Sequence, residues 1–347
     1  MRRILFLIAA ALTVSLAHAQ EVGNVGTSAQ LSIIPRIDLN PYIGFNSDAG
    51  TDFSLSNSSL YTLFEGSFCE NFSYSIMNHW LSEEPASLYQ DTFFHSDVVN
   101  WCDWAYLTWA PSDFSFTIGK TPIVTGIWEE DAYDYESHFD INTTLWNEFQ
   151  VYQWGGDVTY SFTDDFSGTL QLTSSPFTPR PFQDGVFSAS ALVLDEGGDF
   201  NWMASANLVG VTPSNFMKML MGGALYSFDD FAVGVDCTWH YSKELFVNEM
   251  TTEVSLEYDP SERLNFILKG GYEDCFAMDG FPVIPGGPKS FPLFSVPGRF
   301  FGGLAAHYFP LRDNDALRLH TVVAYDNGFQ GLSINVGALY RIDIRIY

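Results

Sequence analysis

From Leu332 to Ile346 the chain alternates, with Gly337 and Leu339 the exceptions in the polar phase. Leu332, Ile334, Val336, Ala338, Tyr340, Ile342, Ile344 and Ile346 share one phase, opposite Ser333, Asn335, Arg341, Asp343 and Arg345. A side-chain period of two over such a span marks a β-strand, whereas a helix repeats near 3.6. The same period runs through Thr252, Val254, Leu256 and Tyr258, set against Glu253, Ser255 and Glu257. After the turn 259–263 it resumes with Leu264, Phe266, Leu268 and Tyr272 opposite Asn265, Lys269 and Glu273. Beyond residue 16 no run of eighteen apolar residues occurs, which excludes membrane-crossing helices. The chain reads as all-β.

A soluble sandwich alternates too, so the period alone leaves the solvent open. Three features decide for lipid. The strands run to about ten residues, the length a tilted membrane-crossing strand needs. Short turns alternate with longer loops, as in outer-membrane barrels. Aromatic residues gather at the strand ends, on both sides of small acidic turns. Tyr160-Ser161-Phe162-Thr163-Asp164-Asp165-Phe166 is echoed by Tyr226-Ser227-Phe228-Asp229-Asp230-Phe231, and Phe68-Cys69-Glu70-Asn71-Phe72 follows the same plan. Rings with one polar end settle at headgroup level, where the carboxylates between them turn in water. The expectation is a transmembrane antiparallel β-barrel.

Composition narrows the function. The chain carries 42 Asp and Glu against 15 Lys and Arg, a net charge of −27, which argues against a nucleic-acid partner. Hydrophobic residues at 46% and aromatic residues at 16% exclude disorder despite that charge. Cys69, Cys102, Cys237 and Cys275 are scattered with no C-x-x-C pair, so neither a metal site nor a cofactor is expected. No His stands at a spacing from Ser that points to hydrolysis, and the chain reads as a non-enzyme. The first residues carry Arg2 and Arg3, an apolar run 4–16 and Ala17-His18-Ala19, the pattern of a cleaved secretory leader over 1–19. The barrel then occupies 20–347.

Sixteen strands are expected. The first covers 30–44; hairpins follow at 60–80, 101–120, 148–174, 187–209, 219–241, 250–273 and 299–325; the last strand covers 332–346. An even count closes the sheet, and a barrel of this size leaves an aqueous interior. The longer connections, among them 81–100, 121–147, 210–218 and 274–298, face outward from the cell. The third, 121–147, carries Glu129, Glu130, Asp131, Asp134, Glu136 and Asp140 with no Lys or Arg. Phase assigns a set of charges to the lumen: Arg36, Lys269, Arg299, Arg318, Arg341 and Arg345, with Glu65, Asp157, Asp236, Glu253, Glu257, Glu273 and Asp343.

Ala105-Tyr106-Leu107-Thr108-Trp109-Ala110-Pro111, followed by Phe116-Thr117-Ile118-Gly119-Lys120-Thr121-Pro122 and then Gly126 and Glu129, resembles the phosphate-selective porins O and P. The spacing differs from that family's pattern on both sides of Lys120. The resemblance implies a porin whose third loop folds inward, here an acidic constriction favouring cations, and a homotrimer. The family's phosphate chemistry does not carry over, because the Lys and Arg ladder it needs is absent. The bases of the first and last three strands facing the acids elsewhere would set up a transverse field, unless they pair with neighbours. Tyr347 ends the chain on an aromatic, yet out of phase with the outward row.

These observations point to passive diffusion of small hydrophilic solutes and ions, biased to cations, across a bacterial outer membrane. Its lipids and lipopolysaccharide are the expected surroundings. The rival reading is a non-conducting barrel, plugged by its loops, that serves as a surface-binding or adhesion protein.

Overall fold

The computed structural model describes residues 27–44, 51–55, 58–80, 102–131, 143, 151–178, 180–241, 250–274, 297–311, 315–327 and 331–346. The leader 1–19 and Tyr347 lie outside them. The alternating segments form β1 (Ser28–Gly44), a short β2 (Thr51–Ser54) and β3 (Ser59–Cys69). Next come β4 (Phe72–His79), β5 (Cys102–Trp109), β6 (Phe114–Pro122), β7 (Tyr152–Ser161) and β8 (Phe166–Ser174). They are followed by β9 (Phe187–Asp195), β10 (Phe200–Thr212), β11 (Asn215–Phe228), β12 (Phe231–Tyr241) and β13 (Met250–Ser261). The chain finishes with β14 (Leu264–Asp274), β15 (Pro297–Tyr308), β16 (Leu317–Asp326), β17 (Gly331–Tyr340) and β18 (Ile342–Arg345).

Neighbours in the chain pair antiparallel, and β1 closes the sheet. Along one edge β1 meets β3 and then β2, from Ser28↔Ser67 to Ile43↔Thr51. Along the other it meets β18 and then β17, from Gln30↔Arg345 to Gly44↔Gly331. β2 extends the line of β3, and β18 extends that of β17 past Arg341. The 18 segments therefore make sixteen staves of a closed barrel. Closure pairs every edge group, which hydrocarbon demands.

The two faces separate as the period requires. On β16, Leu319, Val323 and Tyr325 stand exposed on the outside while Arg318, His320, Val322 and Ala324 are buried within. On β14, Leu264 and Leu268 point out, and Asn265, Lys269 and Glu273 point in. An apolar belt around a closed barrel with a polar interior is the architecture of a bacterial outer-membrane protein. No described helix is long and apolar enough to cross a membrane; the crossing is made by strands.

The aromatic turns join into a girdle at the short-turn end. Trp109 stacks between Phe72 and Phe116 at 6.0 and 5.4 Å, and Phe114 meets Tyr160 at 4.7 Å. Phe228, Phe231 and Tyr258 continue it with 5.5 and 4.4 Å steps. Between Phe162 and Phe166 the backbone closes at 2.8 Å, and the Thr163 hydroxyl accepts from the Asp165 and Phe166 amides. In the second turn Asp229 takes a positive φ of 48°.

One expected loop is strand. Segment 210–218 belongs to β10 and β11, which meet in a tight turn at Pro213-Ser214, with Thr212 opposite Asn215. Its alternation is obscured because the inward face is apolar, with Val211 and Met217 where a lumen wall carries polar residues. Val209, Val211, Met217, Met219 and Met221 are buried inside the barrel, under Ile123, Ile127 and Phe177. Something covers that wall from within.

Candidate functional site: the loop in the lumen

The cover is the start of the third long loop. β6 ends in Gly119-Lys120-Thr121-Pro122, where Gly119 has φ 144° and Lys120 Nζ donates to the Cys102 carbonyl at 2.5 Å. Only a glycine adopts that φ without strain. From Pro122 the chain leaves its stave and runs along the inner wall. Gln171 of β8 clamps it twice: its Nε2 donates to the Pro122 carbonyl at 2.8 Å, and its Oε1 accepts from the Val124 amide at 3.0 Å. Asn207 of β10 donates to the Val124 carbonyl at 2.7 Å. At Gly126 the loop backbone lies so close to Ala204 and Ser205 that a Cβ would stand 2.7 Å from the Ala204 carbonyl carbon. Gly223 of β11 makes the matching space on the wall, beneath Ile127 and Trp128.

The loop then forms one turn of helix, α1 (Trp128–Asp131). Asp236 of β12 caps it, accepting from the Trp128 amide at 3.0 Å and the Glu129 amide at 2.8 Å. A carboxylate on two first-turn amides satisfies orphan donors and meets the positive end of the peptide dipoles. Glu129 continues across to β14, with Oε1 2.8 Å from Lys269 Nζ. Lys269 also lies 3.2 Å from Glu253 of β13. Thr143, further along the loop, donates its amide to Glu129 at 2.8 Å and its hydroxyl at 2.5 Å. Burial opposes ionisation of Glu129, which is 7% exposed, but the Lys269 ammonium overrides it and holds the carboxyl below its usual range.

Of the acids read on this loop, Glu129 is thus an anchor whose charge Lys269 meets. Glu130 and Asp131 follow it in α1; Asp134, Glu136 and Asp140 lie outside the described residues. Asp236, Glu253 and Lys269, assigned to the lumen by phase, are gathered around the anchor. The remaining lumen charges are held locally. Arg36 pairs with Asp38 on its own strand, and Asp38 also meets His320 Nε2 at 2.8 Å. Arg299 joins Glu273 and Asp326, the latter at 2.6 Å, and lies 4.6 Å over the Phe301 ring. Arg341 meets Asp343 at 2.9 Å, Glu257 accepts from Asn265, and Glu65 accepts from Ser75 at 3.2 Å. Asp157 lies opposite Thr117 and Gln171 on the neighbouring staves. Arg318 is buried on β16 and Arg345 is exposed on β18. Most bases on the first and last strands are therefore matched by a carboxylate on the same or an adjacent stave.

The sequence reading missed Asp38, His320, Asp326, Thr143, Gln171 and Asn207. Asp38 had a signal, two residues from Arg36 in the same phase. Gln171 and Asn207 had none, since an uncharged amide in an inward phase looks like any other wetted residue.

No protein-family model matches the chain, and no curated relative is found. Solved structures do match. A mutant of the Rhodobacter blastica porin superposes with a TM-score of 0.57 at 14% identity, over 90% of this chain and 100% of that one. The outer-membrane-expressed OmpT of Vibrio cholerae gives a TM-score of 0.57 at 10% identity, over 92% of this chain and 99% of that one. The trimer form of OmpT gives a TM-score of 0.57 at 12% identity, over 91% of this chain and 100% of its own. At such identities the likeness is one of fold: a porin-like outer-membrane barrel.

Proposed function

We propose that this barrel is a passive outer-membrane pore for small hydrophilic solutes and ions, narrowed by loop 121–147 and biased to cations. One observation carries the reading. The described start of the loop is fastened to the inner wall from β8 to β14, by Gln171, Asn207, Asp236 and Lys269. A segment so held narrows whatever passes beside it. Because Lys269 meets Glu129, the cation bias rests on Glu130, Asp131, Asp134, Glu136 and Asp140. The chain is read as a non-enzyme in a bilayer of lipid and lipopolysaccharide, assembled as a homotrimer. Single-channel conductance in planar bilayers, with a reversal potential in a KCl gradient, tests it. Cation-selective steps that weaken in Glu130→Gln/Asp131→Asn are expected. Silent membranes, or a preference for chloride, would sink it.

One observation favours the rival, a plugged barrel that acts as a surface-binding protein. The side chains of Arg36, Asp38 and His320 face inward yet are wholly buried, so that part of the wall is closed to solvent. Liposome swelling in sugar solution separates the two, because only an open passage admits the sugar.

A further inference from the structure

Cross-strand register places inward side chains from nine staves in one line. Ser28 faces Ser67, Ser67 faces Ser73, Ser73 faces Thr108 and Thr108 faces Thr117. The line continues through Asp157, Gln171 and Ser190 to Asn207. Flanking residues in the other phase, including Trp109, Phe116, Ile118, Val158, Leu170 and Leu208, are the exposed apolar belt, so the line itself lies on the lumen face. Several neighbours in the line are in contact. The Ser28 and Ser67 hydroxyls are 3.0 Å apart and those of Thr108 and Thr117 3.3 Å. Asp157 stands opposite Thr117 on one side and Gln171 on the other, and Asn207 donates to Ser190 at 2.8 Å.

A second line runs two residues closer to the long loops. It passes from Gln30 through Glu65, Ser75 and Tyr106, crosses Gly119 and Gly155, where it has no side chain, and ends on Thr173 and Ser188. The Ser188 hydroxyl, 1% exposed, has no hydrogen-bond partner among the described residues. Neither line contains a Lys or an Arg.

Register lines run perpendicular to the strands, and barrel strands tilt by about 35–45°. The lines therefore climb the inner wall. Their lower end, at Ser28 and Ser73, is exposed at the short-turn mouth. Their upper end reaches Gln171 and Asn207, the two residues that clamp the third loop. A solute entering a narrowed passage gives up hydrogen bonds to water. Hydroxyls and amides both donate and accept, and here they stand on eight of the nine staves of the first line, about 4.8 Å apart, with the Asp157 carboxylate on the ninth. Those on the accessible lower staves, from Ser28 to Asp157, return those bonds one at a time, each weak enough to release.

Resting on the pore reading, we infer that this double line is a track for uncharged polyhydroxylated solutes, sugars and polyols, between the periplasmic mouth and the third loop. The test uses the full-length protein in liposomes and planar bilayers, and reads the ratio of glucose-driven swelling to KCl conductance. Ser73→Ala/Thr108→Val/Thr117→Val removes three hydroxyls of the accessible lower staves with little change of volume. The ratio should fall about fivefold. It should recover in Thr108→Ser/Thr117→Ser, which keeps the hydroxyls, and stay unchanged in the outward-facing Ile118→Val. Should the triple variant fail to reach the heat-modifiable folded form, Thr117→Val alone should lower the ratio about twofold. A wild-type ratio in the valine variants overturns the track and leaves the pore standing. So does wild-type protein that conducts KCl but excludes glucose. Wild-type protein that does neither overturns the pore reading, and the track falls with it.

Discussion

Between β3 and β10 the polar groups of the inner wall are mostly hydroxyls and amides, with Glu65, Lys120 and Asp157 among them; from β12 to β17, and across the seam into β1, they are mostly ion pairs. Thr108 with Thr117, Thr159 with Thr169, and Asn207 with Ser190 represent the first half. Lys269 with Glu129, Arg299 with Glu273 and Asp326, and Arg36 with Asp38 represent the second. The physical difference lies in what removal leaves behind. A neutral hydrogen bond exchanged for water changes little, whereas a buried charge without its partner is stranded at a cost of several kcal/mol. One half can be traded with passing solute; the other holds its shape. The third loop crosses from the first to the second, lightly clamped by Gln171 and Asn207 and firmly moored at Asp236 and Lys269.

The sharpest way to break that contrast is Lys269→Met. It leaves Glu129 and Glu253 without their common cation and Asp236 beside them, all mostly buried. The expected loss is about 3–5 kcal/mol of stability in detergent, read by urea unfolding, together with noisier single-channel current as the loop detaches. Lys269→Met/Glu129→Gln/Glu253→Gln should recover much of that loss, since no unpaired charge then remains. A Lys269→Met barrel as stable as the parent would show that the ionic half is ornamental.

Acid probes the same mooring. The carboxyl of Glu129 sits below its ordinary value of 4.5, because Lys269 outweighs burial. A lowered folded pKa contributes stability that is fully present above the unfolded value. It is lost as pH falls through the folded one. Protonation of Glu129 itself should therefore add current noise only below about pH 4.5. Glu129→Gln should be noisy throughout and lose the acid transition. A transition near neutrality would assign it to another group.

Asp236→Ala should act in the same direction with a smaller effect. Two amides of α1 lose their acceptor, which costs about 1–2 kcal/mol for a helix cap. Asp236→Asn keeps one acceptor oxygen and should retain part of it. Urea unfolding of the two variants side by side is the check. Equal losses would mean that charge rather than hydrogen bonding sets the cap.

How far these halves could be read in advance follows from what each depends on. Strand phase is local, so the closing stave Leu332–Ile346, the aromatic turns and the inward phase of Lys269, Asp236 and Glu253 were all legible. Segment 210–218 was not, because a wall covered from within by Ile123, Ile127 and Phe177 loses the polar half of its alternation. The pairings were not legible either. Glu129 and Lys269 are 140 residues apart, and Asp38 and His320 are 282 apart. What joins the first pair is the path of the loop, and what joins the second is barrel closure across Gly337. The motif Gly119, Lys120, Pro122, Gly126 and Glu129 did mark the loop, for a reason visible only in three dimensions. It supplies a positive φ, a buried tether, a clamped carbonyl, a close backbone approach and the mooring.

The smallest expected effect is the most telling about the neutral half. Thr159 and Thr169 face each other at 2.8 Å on β7 and β8. Replacing both by Val removes a donor and an acceptor together and leaves no orphan between them, so the cost should be no more than about 0.5 kcal/mol. Replacing only Thr169 should be equally mild if the Thr159 hydroxyl turns to lumen water, and distinctly worse if that wall is dry. Urea midpoints of the single and double variants therefore measure whether β7 and β8 are wetted. A single variant that loses more than the double would place the neutral half among the fixed parts of the barrel, with no exchangeable face to offer a solute.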